Sequence, residues 1–515
     1  LTMTSGDGVS MGTNTPNFSN ATAITSGATV GSTSIVVASA GGIGVGGYLV
    51  VSNLNDGTVV TNVGSGGTCT WCDGGEANGG RAQGQIVEVE AVNGTTITIN
   101  PPLYTTYSLT PHATPFTATK YAGLENLQIV ANGLRADTYR NIAMSECAYC
   151  WVNHVESNYS DGDHLDDYWG YRDSIVNSYF SNSYLHLPGV DSDVALADKT
   201  SATLVQNNIF ERLHVSIMLE WGAAGNVLGY NYALANFDTG GDPDVVWAMV
   251  DYHGAHPQFN LEEGNVGVQD YHDSVWGSSA NNTDFRNWWQ GSAAVDYPIA
   301  AGRNTVTGGT IVTCGSLATS RTCYPFQASR ALNISYPATS TNIVGNVLGS
   351  AVAQSNCGYN TSVPCTGTVA SYTAGSGQTD AVQWPTTRSY DAVMYDYSFG
   401  YGEAGDTGSG TGDSTTSYST AFLHGNYGNA TSTTIWAAGV THTLPASFYL
   451  ASKPSWWGSL AWPAIGPDVT TGDGPGTHAY LKTSNPAENC YLNVMGGADG
   501  GAGSPLTFNP AACGY

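Results

Sequence analysis

The sequence predicts an all-β chain whose main body is a right-handed parallel β-helix, a solenoid of stacked coils. Three observations predict it. A short phrase recurs from residue 123 to 430: an apolar pair, an Asn, then one or two apolar or aromatic residues, as in Ile175-Val176-Asn177-Ser178-Tyr179-Phe180. The Asn positions 126, 153, 177, 208, 231, 265 and 287 are separated by 27, 24, 31, 23, 34 and 22 residues, a period in the low twenties with insertions of irregular length. Each copy is too short, and too rich in β-branched and aromatic residues, for a helical hairpin. It fits one coil whose apolar residues fill a thin core and whose strands pair with the coils before and after. An Asn at one place per coil suits an internal ladder, its amide bonding the backbone at a turn. A β-sandwich with chance Asn spacing is the competing fold.

In chain order, residues 1–30 are rich in Ser, Thr, Asn and Gly with little periodicity, and read as an extended arm on the body. Residues 31–122 read as a small antiparallel β-domain. Alternating runs at Ser34-Ile35-Val36-Val37 and Gln85-Ile86-Val87-Glu88-Val89 lead to Asn93-Gly94, a hairpin signal, and Thr95-Thr96-Ile97-Thr98-Ile99 follows. The solenoid takes 123–430, with weaker copies of the phrase at Asn346 and Asn426 after insertions at 292–340 and 350–380. Residues 431–515, rich in Trp, Pro and Gly, are expected to cap the open end, where a bare coil would expose core and strand edge.

The ten Cys fall into close pairs: Cys69 with Cys72, Cys147 with Cys150, Cys314 with Cys323, Cys357 with Cys365, and Cys490 with Cys513. Even counts of near neighbours predict five local disulfides and an oxidising, extracellular setting. A joint zinc site of the two C-x-x-C pairs is the alternative. Lys and Arg number 14 against 40 Asp and Glu, for a formal net charge of −26. Such a surface repels nucleic acid and anionic lipid, and suits a neutral glycan. No apolar run reaches the length of a membrane span. Residue 1 reads as a mature terminus or the start of the ordered part.

Gly123-Leu124-Glu125-Asn126-Leu127 and Asn207-Asn208-Ile209-Phe210-Glu211-Arg212 resemble the right-handed parallel β-helix superfamily of pectate lyases and polygalacturonases. The resemblance spans about 120–430 and is one of coil pattern. The polygalacturonase motifs are not found as such, nor is the lyase pattern of a basic residue beside calcium ligands. It implies a secreted, polysaccharide-active protein as a class and transfers no catalytic residue.

Candidate chemistry comes from counting back from each Asn. Eleven residues before it lie Asp166, Ala197, Glu220, Gly254 and Trp276 in successive coils. Equal turns would stack these about 4.8 Å apart per coil, with Asp166 and Glu220 two rungs, roughly 9.5 Å, apart, at the wide end of the range for an inverting glycosidase. They are the expected acid/base pair, with Asp251 and His253 one rung on. The run Asp161-Gly162-Asp163-His164-Leu165-Asp166-Asp167-Tyr168 reads three ways: a catalytic carboxyl with like-charged neighbours, a calcium site, or a solvated loop. Asp251-Tyr252-His253-Gly254-Ala255-His256 and Asp270-Tyr271-His272-Asp273 read as an acid/base or His/Asp metal group, or as turn residues bonding neighbouring coils. Asp163, His164, Tyr168, Trp221, His256, His272, Trp276 and Trp289 are the candidate substrate-binding residues, the aromatics for stacking on sugar rings. Of adjacent Trp288 and Trp289, one must face outward.

These readings converge on a secreted glycosidase with paired carboxylates. No cofactor is fixed by these residues, and calcium is one reading of the acidic run. A polysaccharide lyase is the second choice, less favoured because Lys is scarce. A non-catalytic adhesin, filament subunit or surface protein, oligomeric through its stapled loops, is the alternative of a different class.

Overall fold

A computed structural model describes residues 1–12, 15–133, 139–186, 194–236, 248–291, 330–349, 395–400, 416–429, 432–470, 472, 482–498 and 505–515, with strand placements also at 295–296, 322–323, 371–373 and 379–383. The body is a parallel β-helix of three sheets. The first sheet climbs from Gly123–Glu125 through Trp151–Asn153, Ser174–Val176, Leu204–Gln206, Val227–Gly229, Leu261–Glu263, Thr283–Phe285 and Asn342–Val344 to Phe422–His424. The second runs from Gln128–Ala131 through Glu156–Ser160 and Tyr179–Ser183 to Asn426–Gly428. The third contains Ile142–Ser145, Leu165–Tyr168, Val194–Ala197, Ile217–Glu220, Val250–His253, Asp270–His272, Arg330–Ile334 and Tyr395–Phe399. Every neighbouring pair of these strands is parallel and in register, as in Val152↔Ile175↔Val205↔Leu228. Because side chains alternate, such a column faces one way throughout. This one faces in and is fully buried, as are Leu165, Val194, Ile217 and Val250 from the third sheet. Phe180 and Phe210 of the second sheet stack on each other, ring centres 5.3 Å apart.

The corners set the register. Between the first and second sheets the chain turns through one residue in the left-handed region in every coil: Asn126, His154, Asn177, Asn207, Tyr230, Gly264, Arg286, Gly345 and Gly425, all with φ between 50 and 70°. A non-glycine residue there costs about 1 kcal/mol or more, so the corner must be held from outside the residue. The next position holds it. Asn208, Asn231, Asn265, Asn287, Asn346 and Asn426 form a buried ladder. The Oδ1 of Asn231, Asn265, Asn287 and Asn426 accepts from both the backbone N–H and the Nδ2 of the Asn one coil earlier, at 2.9–3.1 Å, and that of Asn346 accepts from the Asn287 N–H at 2.8 Å. Each Nδ2 also donates to a first-sheet carbonyl, as Asn265 does to Leu228 at 2.8 Å. Ser178 fills the rung below. A second ladder, Asn226, Asn260 and Asn282, stands at the corner leading into the first sheet.

The Asn phrase therefore mixes three positions. Asn126 and Asn177 are left-handed corner residues, Asn153 lies one residue before its corner, and the ladder proper begins at Asn208. Counting back from Asn is out of step in the first three coils.

Thr2–Met3 and Val9–Met11 pair in parallel with the first coil. Thr22–Ser26, within the expected arm, belongs instead to a closed antiparallel barrel of six strands ending at His112–Phe116. Its Asn93-Gly94 turn joins Gly84–Asn93 to Thr96–Asn100. The barrel docks on the solenoid corner: Ser65 and Gly66 N–H donate to the carbonyls of Ser274 and Val275, and Gln83 Nε2 to Gln258.

The tail does more than cap the end. Thr433–Ile435 pairs antiparallel with the last coil's Asn426–Gly428, but the chain then runs back along the outer flank of the second sheet. An outward column there is apolar: Tyr179, Ile209, Tyr232, Val266, Trp288, Val347. The tail buries it with Trp457, Ile465, Ala487 and Tyr491. Arg286 grips Asp468 through two 2.8 Å bonds, Tyr491 Oη donates to Glu211 at 2.8 Å, and Phe508 packs on Tyr179.

Among the described residues, two of the five expected disulfides form: Cys69 with Cys72, and Cys490 with Cys513. The third expectation is corrected. Cys147 and Cys150 are buried free thiols whose Sγ atoms donate to the carbonyls of Met11 and Thr119. The expected bridge from Cys314 to Cys323 and the one from Cys357 to Cys365 are not among the disulfides of the described residues. Cys314, Cys357 and Cys365 lie outside those residues, and Cys323 is described only as a position in the strand Thr322–Cys323.

Asn265→Ala removes the acceptor for two donors of Asn231 and the donor to Leu228. At about 1–3 kcal/mol per buried group left unpaired, it should destabilise by roughly 2–5 kcal/mol, read as a lowered midpoint in thermal or denaturant unfolding.

Candidate functional site

The third sheet presents two outward columns. Register aligns Asp166, Ala195, Met218, Asp251, Tyr271 and Asn333 in one. Tyr168, Ala197, Glu220 and His253 form the other, two residues along the strands, and Asp273 follows the next strand at the same place. Glu220, Asp251, His253 and Asp273 thus gather on adjoining coils. Asp166 and Glu220 do not share a column. They differ by two coils and two strand positions, a backbone separation of roughly 12 Å, too far for the expected acid/base pair.

Asp166 is committed elsewhere. Arg140 Nε donates to its Oδ2 in a tight ion pair, and the guanidinium lies over the Tyr168 ring, 5.6 Å from its centre. Burial pushes Asp166 above the usual carboxylate range, with bonds from Asp163 and Arg140 pulling it back. Asp163 is half-buried beside it. Tyr168 stacks on Trp221, centroids 6.0 Å apart and 19° between planes. Trp221 sits at a left-handed corner with φ 45°, in line with Glu146, Trp169, Asp198 and Gly254. Gly254 is glycine for a second reason, since a Cβ there would lie 2.8 Å from Trp221 and 3.1 Å from Cys72 Sγ. Trp276 packs edge-on against Trp71 of the barrel loop, 4.9 Å apart, so the barrel forms one wall. Ala195, Val215 and Met218 make an apolar floor between Asp166 and Asp251.

His253 is the electrostatic centre. Its Nδ1 bonds Asp273 Oδ2. Burial alone would pull the imidazole down, but the carboxylates of Asp273, Asp251 and Glu220 outweigh it and hold His253 well above its ordinary value. The nearest donor atoms of Asp251, His253 and Asp273 lie within 4.8 Å of one another, so the trio could hold a proton or a divalent ion between them. Among the described residues the carboxylates of the run 161–167 form no such three-donor cluster.

Four predicted binding residues are elsewhere. His164 is fully buried between Ser157 Oγ (2.8 Å) and the Asn182 carbonyl (3.2 Å), and burial takes it down to about 3. His256 is likewise buried, against Ser278, and falls to about 4. His272 and Trp289 point into the solenoid core. Trp288 is the outward member of its pair, but the tail covers it, with Lys482 over its ring at 4.4 Å. These are internal packing and bonding groups, not groove residues. Arg140 and Asp273 are site members that counting from Asn does not select. The signal for Arg140 is the scarcity of cations, since each of 14 in a chain of 515 invites the question of what it faces.

No family model and no curated protein sequence matches the chain. Among solved structures it is similar to the tailspike protein gp49 of Pseudomonas phage LKA1, at 15% identity and TM-score 0.38 over 67% of this chain and 59% of that one. The Pseudomonas phage phi297 tailspike gp61 shows 12% identity and TM-score 0.37, over 64% and 52%. The catalytic domain of a GH87 alpha-1,3-glucanase shows 11% identity and TM-score 0.21, over 67% and 84%. The chain spans less than two thirds of the length of the two tailspikes. At these scores the likeness decides nothing about activity, and the fold rests on the strand pairing itself. Among the described residues no helix is long and apolar enough to cross a membrane.

Because the folded value of His253 is raised from 6.5, its contribution to stability is fully present below about pH 6.5 and is lost as pH rises through the folded value. Asp273→Asn should flatten that loss, measured as melting temperature across about pH 5 to 9.

Proposed function

We propose that the chain is an extracellular polysaccharide-active protein, a glycoside hydrolase working on the outer face of the third sheet. The observation that carries this reading is the gathering of Glu220, Asp251, His253 and Asp273 beside the Tyr168–Trp221 stack. Glu220 and Asp251 lie on adjacent coils, two strand positions apart, which separates their backbones by roughly 8 Å. That is compatible with the ~6.5–9.5 Å between carboxyls that leaves room for a water in inverting hydrolysis. One carboxyl would protonate the leaving oxygen while the other activates the water. His253, held by Asp273, sits between them and fixes their geometry. The Tyr168–Trp221 pair offers an aromatic face to a sugar ring, and the Arg140–Asp166 pair a polar subsite at the far end.

Hydrolysis is favoured over β-elimination because a lyase needs an unpaired base in the groove, and Arg140 is held by Asp166. The disulfides Cys69–Cys72 and Cys490–Cys513 support an oxidising, extracellular setting.

The test is a panel of plant and microbial polysaccharides, with and without chelator, read for reducing ends and for unsaturated products. Glu220→Gln and Asp251→Asn should each lower kcat by about 10²–10⁴-fold with the melting temperature kept, while Asp166→Asn should act mainly on KM. Full turnover in both carboxylate variants would sink the assignment of these residues. Saturable binding with no product from any glycan would point to adhesion instead.

A further inference from the structure

A second polar group lies inside the solenoid, where coils above and below are apolar. In the first sheet the inward column reads Leu228, Glu262, Asp284, Ile343. In the third sheet the inward columns read Val250, Asp270, Leu332 and Tyr252, His272, Ile334. Glu262, Asp270, Asp284 and His272 therefore converge across the core from two sheets, and each is at most 1% exposed. Donor atoms of Glu262, Asp270 and His272 lie within 4.8 Å of one another.

The details are those of a ligand set. His272 Nε2 is 3.2 Å from Asp270 Oδ2, and Nδ1 is 3.1 Å from Ser279 Oγ. A ring whose Nδ1 is satisfied by a hydroxyl turns Nε2 toward the carboxylates, the arrangement by which a neighbouring group orients a metal-bound imidazole. Tyr252 stacks flat on the ring, 4.0 Å away, and fixes its plane. Asp284 Oδ1 accepts from Trp289 Nε1 at 3.1 Å and Asn287 Nδ2 at 3.4 Å, and the Asp284 carboxyl also meets Asp270. The Tyr252 hydroxyl approaches Glu262, but among the described residues neither oxygen of Glu262 closes a hydrogen bond of good geometry, nor does Asp270 Oδ1. No Lys or Arg is among the charges acting on Glu262 or Asp270. Carboxylates buried in this way cost several kcal/mol each unless something positive lies among them.

We propose that Glu262, Asp270 and His272 form a structural site for a divalent transition-metal ion in the core of the solenoid, with Asp284 behind Asp270. An imidazole with carboxylates suits zinc or manganese, whereas calcium calls for six to eight oxygens, carbonyls among them. The ion would tie the first sheet to the third at the coils that carry Asp251, His253 and Asp273, and would be taken up as those coils close.

The purified full chain should contain about one equivalent of such an ion by elemental analysis and native mass spectrometry. Refolding in chelator should lower the melting temperature, and zinc or manganese should restore it. Glu262→Gln and Asp270→Asn should lose the ion, and Ser279→Ala should weaken its affinity about 10–100-fold. If these variants fail to fold, anomalous scattering at the metal edge from crystals of the unaltered chain decides the matter. A chain without a stoichiometric transition ion, or Glu262→Gln melting at or above the unaltered chain, would overturn the proposal. The carboxyls would then be neutral groups sharing protons.

Discussion

Vertical register is the constraint on which everything else rests. A coil has few hydrogen bonds within itself, and its strands are too short to stand alone. What fixes it is the pairing of each strand to the next coil together with corners that hold an unfavourable backbone conformation in place. From Asn207 onward the left-handed residue at each of these corners is tolerated because the Asn after it ties two coils together from inside. Residues distant along the chain, such as Glu220 and Asp273, become neighbours only because this register does not slip.

Much of the fold was legible for that reason. A buried Asn per coil leaves a mark no ordinary sheet leaves, and the Asn93-Gly94 turn announced the barrel. The mark was also misleading, since two adjacent corner positions both favour Asn. One tolerates left-handed backbone, as at Asn177, and the other bonds coil to coil, as at Asn208. Residue type alone does not separate them. Turn length also varies along the solenoid: from the third-sheet column to the ladder is 12 residues at Asp166–Ser178, 13 at Ala195–Asn208 and 14 at Asp251–Asn265. A fixed count therefore drifts across columns, which is how Asp166 came to stand opposite Glu220. The members of the site within one or two residues of each other, Asp251 and His253, survive such drift. Pairings between coils do not.

The facing of side chains was harder to read than their neighbourhood. His164, His256, His272 and Trp289 are chemically suited to a groove and are buried instead. Cys147 and Cys150 likewise sit close enough in sequence to suggest a bridge, yet each thiol bonds a carbonyl of a different segment. A solenoid has two surfaces per strand, and polar residues occur on both. Once the columns are known the inward charges stand out, because Glu262 and Asp284 occupy the place of Val152, Ile175 and Leu228. The outward apolar stripe from Tyr179 to Val347 is the mirror case: hydrophobic residues on an outer face, which require a cover supplied by a segment far along the chain.

That cover bears on how the molecule comes into being. The stripe is laid down early, as coils emerge one after another from the ribosome, while the segment that shields it is made only after all of those coils. During synthesis each nascent coil can stack on its predecessor, yet its flank stays greasy and wet until the segment beyond Thr433–Ile435 arrives and folds backward over it. Completion is then a single late event that acts on many coils at once, so a ribosome that stalls short of Trp456 releases a body already wound but still adhesive.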